Sequence, residues 1–188
     1  ATDVPTSANG DDRPIALFDS GFGGLTVARA VIDLLPDENI VYVGDTGRYP
    51  YGPRPQREVA GFAHEITRHL VDDHDAKLVI VACNTAAAAA LEELQATAGV
   101  PVVGVIEPGA RALVSATRSG RVGVIGTVGT IGSGAYQRAV DATGAALEEV
   151  AVASRPVDVE GEPHTVPHGD HHVLRHDDPV AAHASSLS

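Results

Sequence analysis

Apolar and polar positions follow two alternating patterns along this chain. Short runs dominated by apolar residues, many of them Val and Ile, occur at Ile15–Phe18, Ile40–Val43, Leu78–Ala82, Val100–Val105 and Arg121–Ile125. Between them apolar residues return every three or four positions, as in Leu25, Ala28, Ile32 and Leu35, and again in Val59, Phe62, Ala63, Ile66 and Leu70. The first pattern reads as strands, in Leu78–Ala82 as one buried on both faces, and the second as one face of a helix. Helices are predicted from the Gly-rich turn to Leu35, from about Pro55 to Asp73, from Thr85 to Ala98, from Glu107 to about Thr117 and over roughly Thr130 to Ala142, with a last strand over Ala146–Val152. Thr85 suits an N-cap, and Gly99 followed by Pro101 stops the third helix. Strand and helix alternate throughout, which predicts an α/β fold with a doubly wound parallel sheet.

That order has a positional consequence. Asp19-Ser20, Asp45-Thr46 and Cys83-Asn84-Thr85 each follow a strand directly. In a parallel sheet these exits share one edge, the edge where open α/β sheets bind ligands. A carboxylate, several hydroxyls and a thiol are thus expected to converge. Cys83, at a strand end against a helix start, is placed where the helix dipole favours a thiolate. Read in isolation, a lone cysteine is as well explained as a small buried hydrophobe.

Composition narrows the function classes. Of 188 residues, 13 are Lys or Arg and 25 Asp or Glu, a net charge of −12 that argues against nucleic acid as a partner. One cysteine excludes an internal disulfide and fits a reducing, cytoplasmic setting. No apolar run approaches a membrane span, and the first residues lack the character of a signal peptide. From Ser154 onward no aromatic residue and no Ile occurs, Pro stands at 156, 163, 167 and 179, and both periods vanish. This segment reads as an unstructured tail.

Other motifs carry less. Asp19 to Gly24 resembles a phosphate loop but has no Gly-Lys-Ser/Thr, and the third glycine of a dinucleotide fingerprint would fall at Thr26. A tight turn presenting backbone N–H groups is the plainer reading. His168, Asp170, His171, His172 and His176 lack the spacing and scaffold of a structural metal site, and no metal is assigned to them. His64, His69 and His74, spaced by five, do not hold one helical face and read as helix surface. Arg48 could grip a carboxylate bidentately, and a plain turn-rich loop explains Gly44 to Gly52 equally well.

Taken together, the segments resemble glutamate racemases. The resemblance rests on Phe18-Asp19-Ser20-Gly21-x-Gly23-Gly24-Leu25-Thr26-Val27, Tyr42-Val43-Gly44-Asp45-Thr46-x-Arg48-x-Pro50-Tyr51-Gly52 and Ala82-Cys83-Asn84-Thr85-Ala86. It continues in Val105-Ile106-Glu107-Pro108-Gly109-Ala110 and in Gly126-Thr127-x-x-Thr130-x-x-Ser133-Gly134-Ala135-Tyr136. It implies cofactor-independent interconversion of L- and D-glutamate by two thiols on opposite faces of the substrate, supplying D-glutamate for peptidoglycan. Cys83 matches one of those thiols, and Asp19 lies where it can assist proton movement at Cys83. Asp19, Ser20, Tyr51, Gly52, Asn84 and Thr85 match substrate-binding positions. A homodimer is compatible with the resemblance, as are the alternatives of a carboxylate- or amino-acid-binding fragment without catalysis and of another amino-acid racemase. The family's second motif, Gly-Cys-Thr-His-Tyr-Pro, does not occur, and the resemblance fades near Glu148, as in a truncated or frame-shifted chain. The implied organisation is a disordered N-terminus (1–13), a first racemase domain (14–105), a partial second domain (106–152) and a disordered tail (153–188).

Overall fold

In the computed structural model, the structure describes residues 10–145, 147 and 149–154. Four strands, β1 (Ile15–Asp19), β2 (Ile40–Gly44), β3 (Leu78–Val81) and β4 (Val102–Gly104), form a parallel sheet in the order β2-β1-β3-β4. The chain leaves β1 for β2 on one side and returns to β3 on the other, so the sheet reverses its winding between β1 and β3. The register sets Asp19 opposite Gly44, and Phe18 between Val43 and Val81.

Helices α1 (Leu25–Leu34), α2 (Gln56–Asp72), α3 (Asn84–Thr97) and α4 (Ile106–Ala116) connect and follow these strands. A second parallel pair, β5 (Arg121–Gly126) with β6 (Glu149–Ser154), encloses α5 (Val128–Gly132) and α6 (Ala135–Asp141) in the sequence. The α/β fold read from the sequence is therefore present.

The pleat of β1 divides its side chains between two cores. Ala16 and Phe18 join the large core with α2 and α3, while Ile15 and Leu17 meet Ala28 of α1 on the other face. β3 differs from the expected strand buried on both faces. Val79 and Val81 are buried, but Leu78 and Ile80 are only partly covered, because among the described residues α1 is the helix packed on that face.

Two further expectations change in detail. The helix expected over Thr130–Ala142 breaks at Gly134, whose φ of 68° is left-handed, and Ser133 Oγ accepts the Ala135 N–H at 3.1 Å to restart it as α6. The N-cap of α3 is Cys83, not Thr85, since Cys83 keeps extended dihedrals and the helix begins at Asn84. His69 and His74 are exposed, as their spacing suggested; His69 Nδ1 lies 2.6 Å from Asp73 Oδ2 and its ring stands edge-on to His74. The tail, with His168, Asp170, His171, His172 and His176, lies outside the described residues.

Candidate functional site

The reversal point between β1 and β3 is where an open parallel sheet leaves a crevice at its carboxyl edge. The last residues of β1 and the residue after Ala82 supply the chemistry there. Cys83 Sγ stands 3.7 Å from Ser20 Oγ, and both residues are buried. Asp19 is buried beside them, and its Oδ2 accepts the Gly24 N–H at 2.9 Å, which fixes the carboxylate against the start of α1. Gly24 makes this fit possible. A Cβ there would lie 2.7 Å from Asp19 Cβ and 2.9 Å from Ala82 Cβ. The sequence reading placed Asp19, Ser20 and Cys83 on one edge, and the structure brings them together.

The electrostatics at Cys83 depart from the expected thiolate. Burial pushes the thiol above its ordinary value of 9.0, and the Asp19 carboxylate pushes it further the same way. The Ala86 and Ser20 backbone amides and the Ser20 hydroxyl act against that rise without reversing it. At Cys83 desolvation and the Asp19 charge outweigh the hydrogen bonds that favour the thiolate. The group present in the free site is a thiol with the basicity of a strong proton acceptor once ionised.

The β2 exit loop is tied down by its own side chains. Asp45 accepts hydrogen bonds from the Tyr51 hydroxyl and, at 2.6 Å, from Arg48 Nε. Arg48 Nη1 also reaches Glu65 at 2.8 Å, and its guanidinium lies 4.3 Å over the Phe62 ring. Arg48 is thus engaged within the fold, which favours the turn-rich loop over a free bidentate clamp. The network buries Tyr51 completely and seats Gly52 against the second half of the chain. A Cβ at Gly52 would lie 2.7 Å from Thr127 Cγ2.

Asn84 and Thr85 are held from that same second half. The Tyr136 hydroxyl donates to Asn84 Oδ1 at 2.8 Å. The Thr85 hydroxyl meets Thr127 Oγ1 at 3.1 Å and Thr130 Oγ1 at 3.2 Å, and those two lie 2.9 Å apart. All three threonines are buried. Gln56 Nε2, at the start of α2, donates to the Gly129 carbonyl at 2.6 Å. Thr127, Thr130, Tyr136 and Gln56 received no individual role from the sequence, whereas Asp45 was expected at this edge. Thr127 carried a legible signal as the residue after β5: its hydroxyl caps α5 by accepting the Thr130 N–H at 3.2 Å.

Among the described residues no group of three His, Cys, Asp or Glu is arranged to hold a metal ion. None of the described helices is long and apolar enough to cross a membrane. The arrangement offers a proton-transferring thiol, a neighbouring hydroxyl and carboxylate, and amide and hydroxyl groups at a helix N-terminus suited to an anion.

A family model described as Asp/Glu/Hydantoin racemase matches residues 25–172. The chain is similar to a glutamate racemase of Corynebacterium kroppenstedtii, at 52% identity over 129 residues, covering 69% of this chain and 44% of that protein. Among solved structures it is similar to a glutamate racemase of Bacillus anthracis, with a TM-score of 0.72 and 46% identity, covering 77% of this chain and 54% of that one. It is also similar to the glutamate racemase of Francisella tularensis in complex with D-glutamate, with a TM-score of 0.67 and 38% identity, covering 77% and 53%. The chain spans about half the length of the relatives it matches.

Proposed function

We propose, from the premise that this chain belongs to the Asp/Glu/hydantoin racemase family, that it carries one half-site of a cofactor-independent glutamate racemase. The observation that carries this reading is Cys83, held 3.7 Å from Ser20 Oγ at the point where the sheet reverses its winding, with Asp19 buried alongside. Glutamate brings an ammonium group and two carboxylates. The ammonium offsets the negative field of Asp19, which is one of the two causes that raise the Cys83 thiol. The amide of Asn84, the Thr85 hydroxyl and the backbone of Gly52 would receive carboxylate oxygen, with Tyr51 holding the Gly52 loop in place.

In this reading the Cys83 thiolate takes the Cα proton, the electron pair passes into the adjacent carboxylate, and an acid on the opposite face returns a proton. The reaction supplies D-glutamate for peptidoglycan in the cytoplasm. The 188 residues contain one cysteine, so the opposing thiol is not among them. The chain by itself is therefore expected to bind D-glutamate without inverting it. Calorimetry with D-glutamate and circular dichroism with L-glutamate test both parts. Saturable binding without optical change is the expected result. Absence of binding would overturn the glutamate reading, and inversion abolished by Cys83→Ala would overturn the half-site.

A second reading, an amino-acid-binding module with no proton transfer, is favoured by one observation: Cys83 is buried with the Asp19 carboxylate alongside, and both raise its thiol. Exchange of the Cα proton of bound glutamate with deuterium from solvent separates the two, because a single working thiol exchanges that proton and a passive module does not.

A further inference from the structure

We propose that Tyr136 is a positioning residue that sets the orientation of the Asn84 side-chain amide, so that its N–H donors face the ligand edge beside Cys83. The proposal rests on the reading that Asn84 receives a carboxylate. Tyr136 sits on α6 and Asn84 opens α3, so the contact spans 52 residues of sequence. The tyrosine is buried, and its hydroxyl donates to Asn84 Oδ1 at 2.8 Å. An amide has one accepting and one donating end. With Oδ1 occupied by a donor, the NH2 end is the one left to serve another partner, and an anion requires donors. Burial raises the Tyr136 phenol, so it remains a protonated donor across the physiological range.

The hydroxyl has little freedom to turn elsewhere. A Cβ built on Gly109 of α4 would lie 3.2 Å from Tyr136 Oη, so the backbone of α4 walls it on that side. Thr85, the next residue of α3, is held by Thr127 and Thr130. The second half of the chain therefore orients both polar side chains that follow Cys83. Tyr136 is the member whose removal changes only an orientation, since Asn84 keeps its own chemistry.

The test uses the full chain labelled with 15N. It contains three Asn and three Gln, so the Asn84 side-chain amide is assignable from Asn84→Ala alone. Tyr136→Phe keeps the ring and removes the hydroxyl. It is expected to move the Asn84 Nδ2 resonances and to weaken D-glutamate binding by about fivefold or more, the loss expected for one hydrogen bond. In an Asn84→Ala background Tyr136→Phe should then leave the affinity unchanged. An unmoved Asn84 amide, or an equal loss of affinity in both backgrounds, would overturn the proposal. If the wild-type chain binds no D-glutamate, the glutamate reading fails, and the Asn84 resonances alone decide the positioning role. Gly109→Ala, which presses on the hydroxyl and retains the ring, provides the same resonance test should Tyr136→Phe fold poorly.

Discussion

Cys83 and Ser20 face one another across adjacent parallel strands, sulfur to hydroxyl oxygen at 3.7 Å, with the Asp19 carboxylate next to both. The carboxylate raises the thiol in concert with burial. Because Cys83 is the one cysteine in the chain, its ionisation can be followed by thiolate absorbance, with Cys83→Ser subtracted to remove tyrosine. The midpoint is expected above the ordinary 9.0, and Asp19→Asn should lower it by removing the repelling charge while still accepting the Gly24 N–H. A midpoint unchanged in Asp19→Asn would refute the coupling.

Alkaline pH should unfold this protein early. Burial raises Tyr42 to about 12, and raises Cys83, Tyr51 and Tyr136 as well. Each group holds its proton in the folded state at pH values where the unfolded chain has released it. The folded state then binds more protons, so stability falls as pH rises. The contribution is intact below 9.0, the ordinary thiol value, and is lost progressively above it and above the ordinary phenol value of 10.0. Urea midpoints measured from pH 7 to 11 should be level at first and then decline. A flat profile through pH 11 would contradict the burial of these groups.

Gly24 is expected to resist substitution for reasons of space, not of backbone freedom. Its φ of −64° suits any residue, but a Cβ would sit 2.7 Å from Asp19 Cβ, 2.9 Å from Ala82 Cβ and 3.0 Å from the Tyr42 hydroxyl oxygen. Gly24→Ala should destabilise the chain by about 1–3 kcal/mol through overpacking, and should shift the Cys83 titration because Asp19 must move. Equilibrium urea unfolding reads the first effect and thiolate absorbance the second.

The three buried threonine hydroxyls form a closed triangle between α3 and α5. Thr85→Val keeps the shape and leaves Thr127 and Thr130 paired with each other. The expected loss is about 1 kcal/mol in urea unfolding, with D-glutamate binding weakened further if the hydroxyl also serves the ligand. A variant of wild-type stability and affinity would remove Thr85 from the site.

The sheet and its ligand edge were legible because β1, β2 and β3 are unbroken apolar runs that each end in polar residues, at Asp19, Asp45 and Cys83. That grammar depends on local sequence, and local sequence supplied it. What joins Asn84 to Tyr136 and Thr85 to Thr127 is tertiary, and no spacing within one element encodes it. Arg48 fits a carboxylate clamp or a plain turn equally well in sequence for a related reason: a guanidinium in a polar loop looks free until Asp45, Glu65 and Phe62 are seen around it. The thiol was read as lowered because the helix start is visible in sequence and the depth of burial is not. Gly134 broke a helix whose apolar period ran on unbroken, its left-handed φ overriding the pattern.

The hydrogen bond from Gln56 to the Gly129 carbonyl closes a loop of 73 residues. Closing so long a loop carries an entropic cost that the contacts made after closure must repay, which places such a step late in folding. The β1–β2–β3 core can assemble before α5 and α6 arrive, yet Asn84 and Thr85 acquire their partners only on arrival. A ligand that reads those two side chains binds the docked state alone. Its occupancy is then recorded far from itself, as slower amide hydrogen exchange in α5 and α6, two helices that need not touch it.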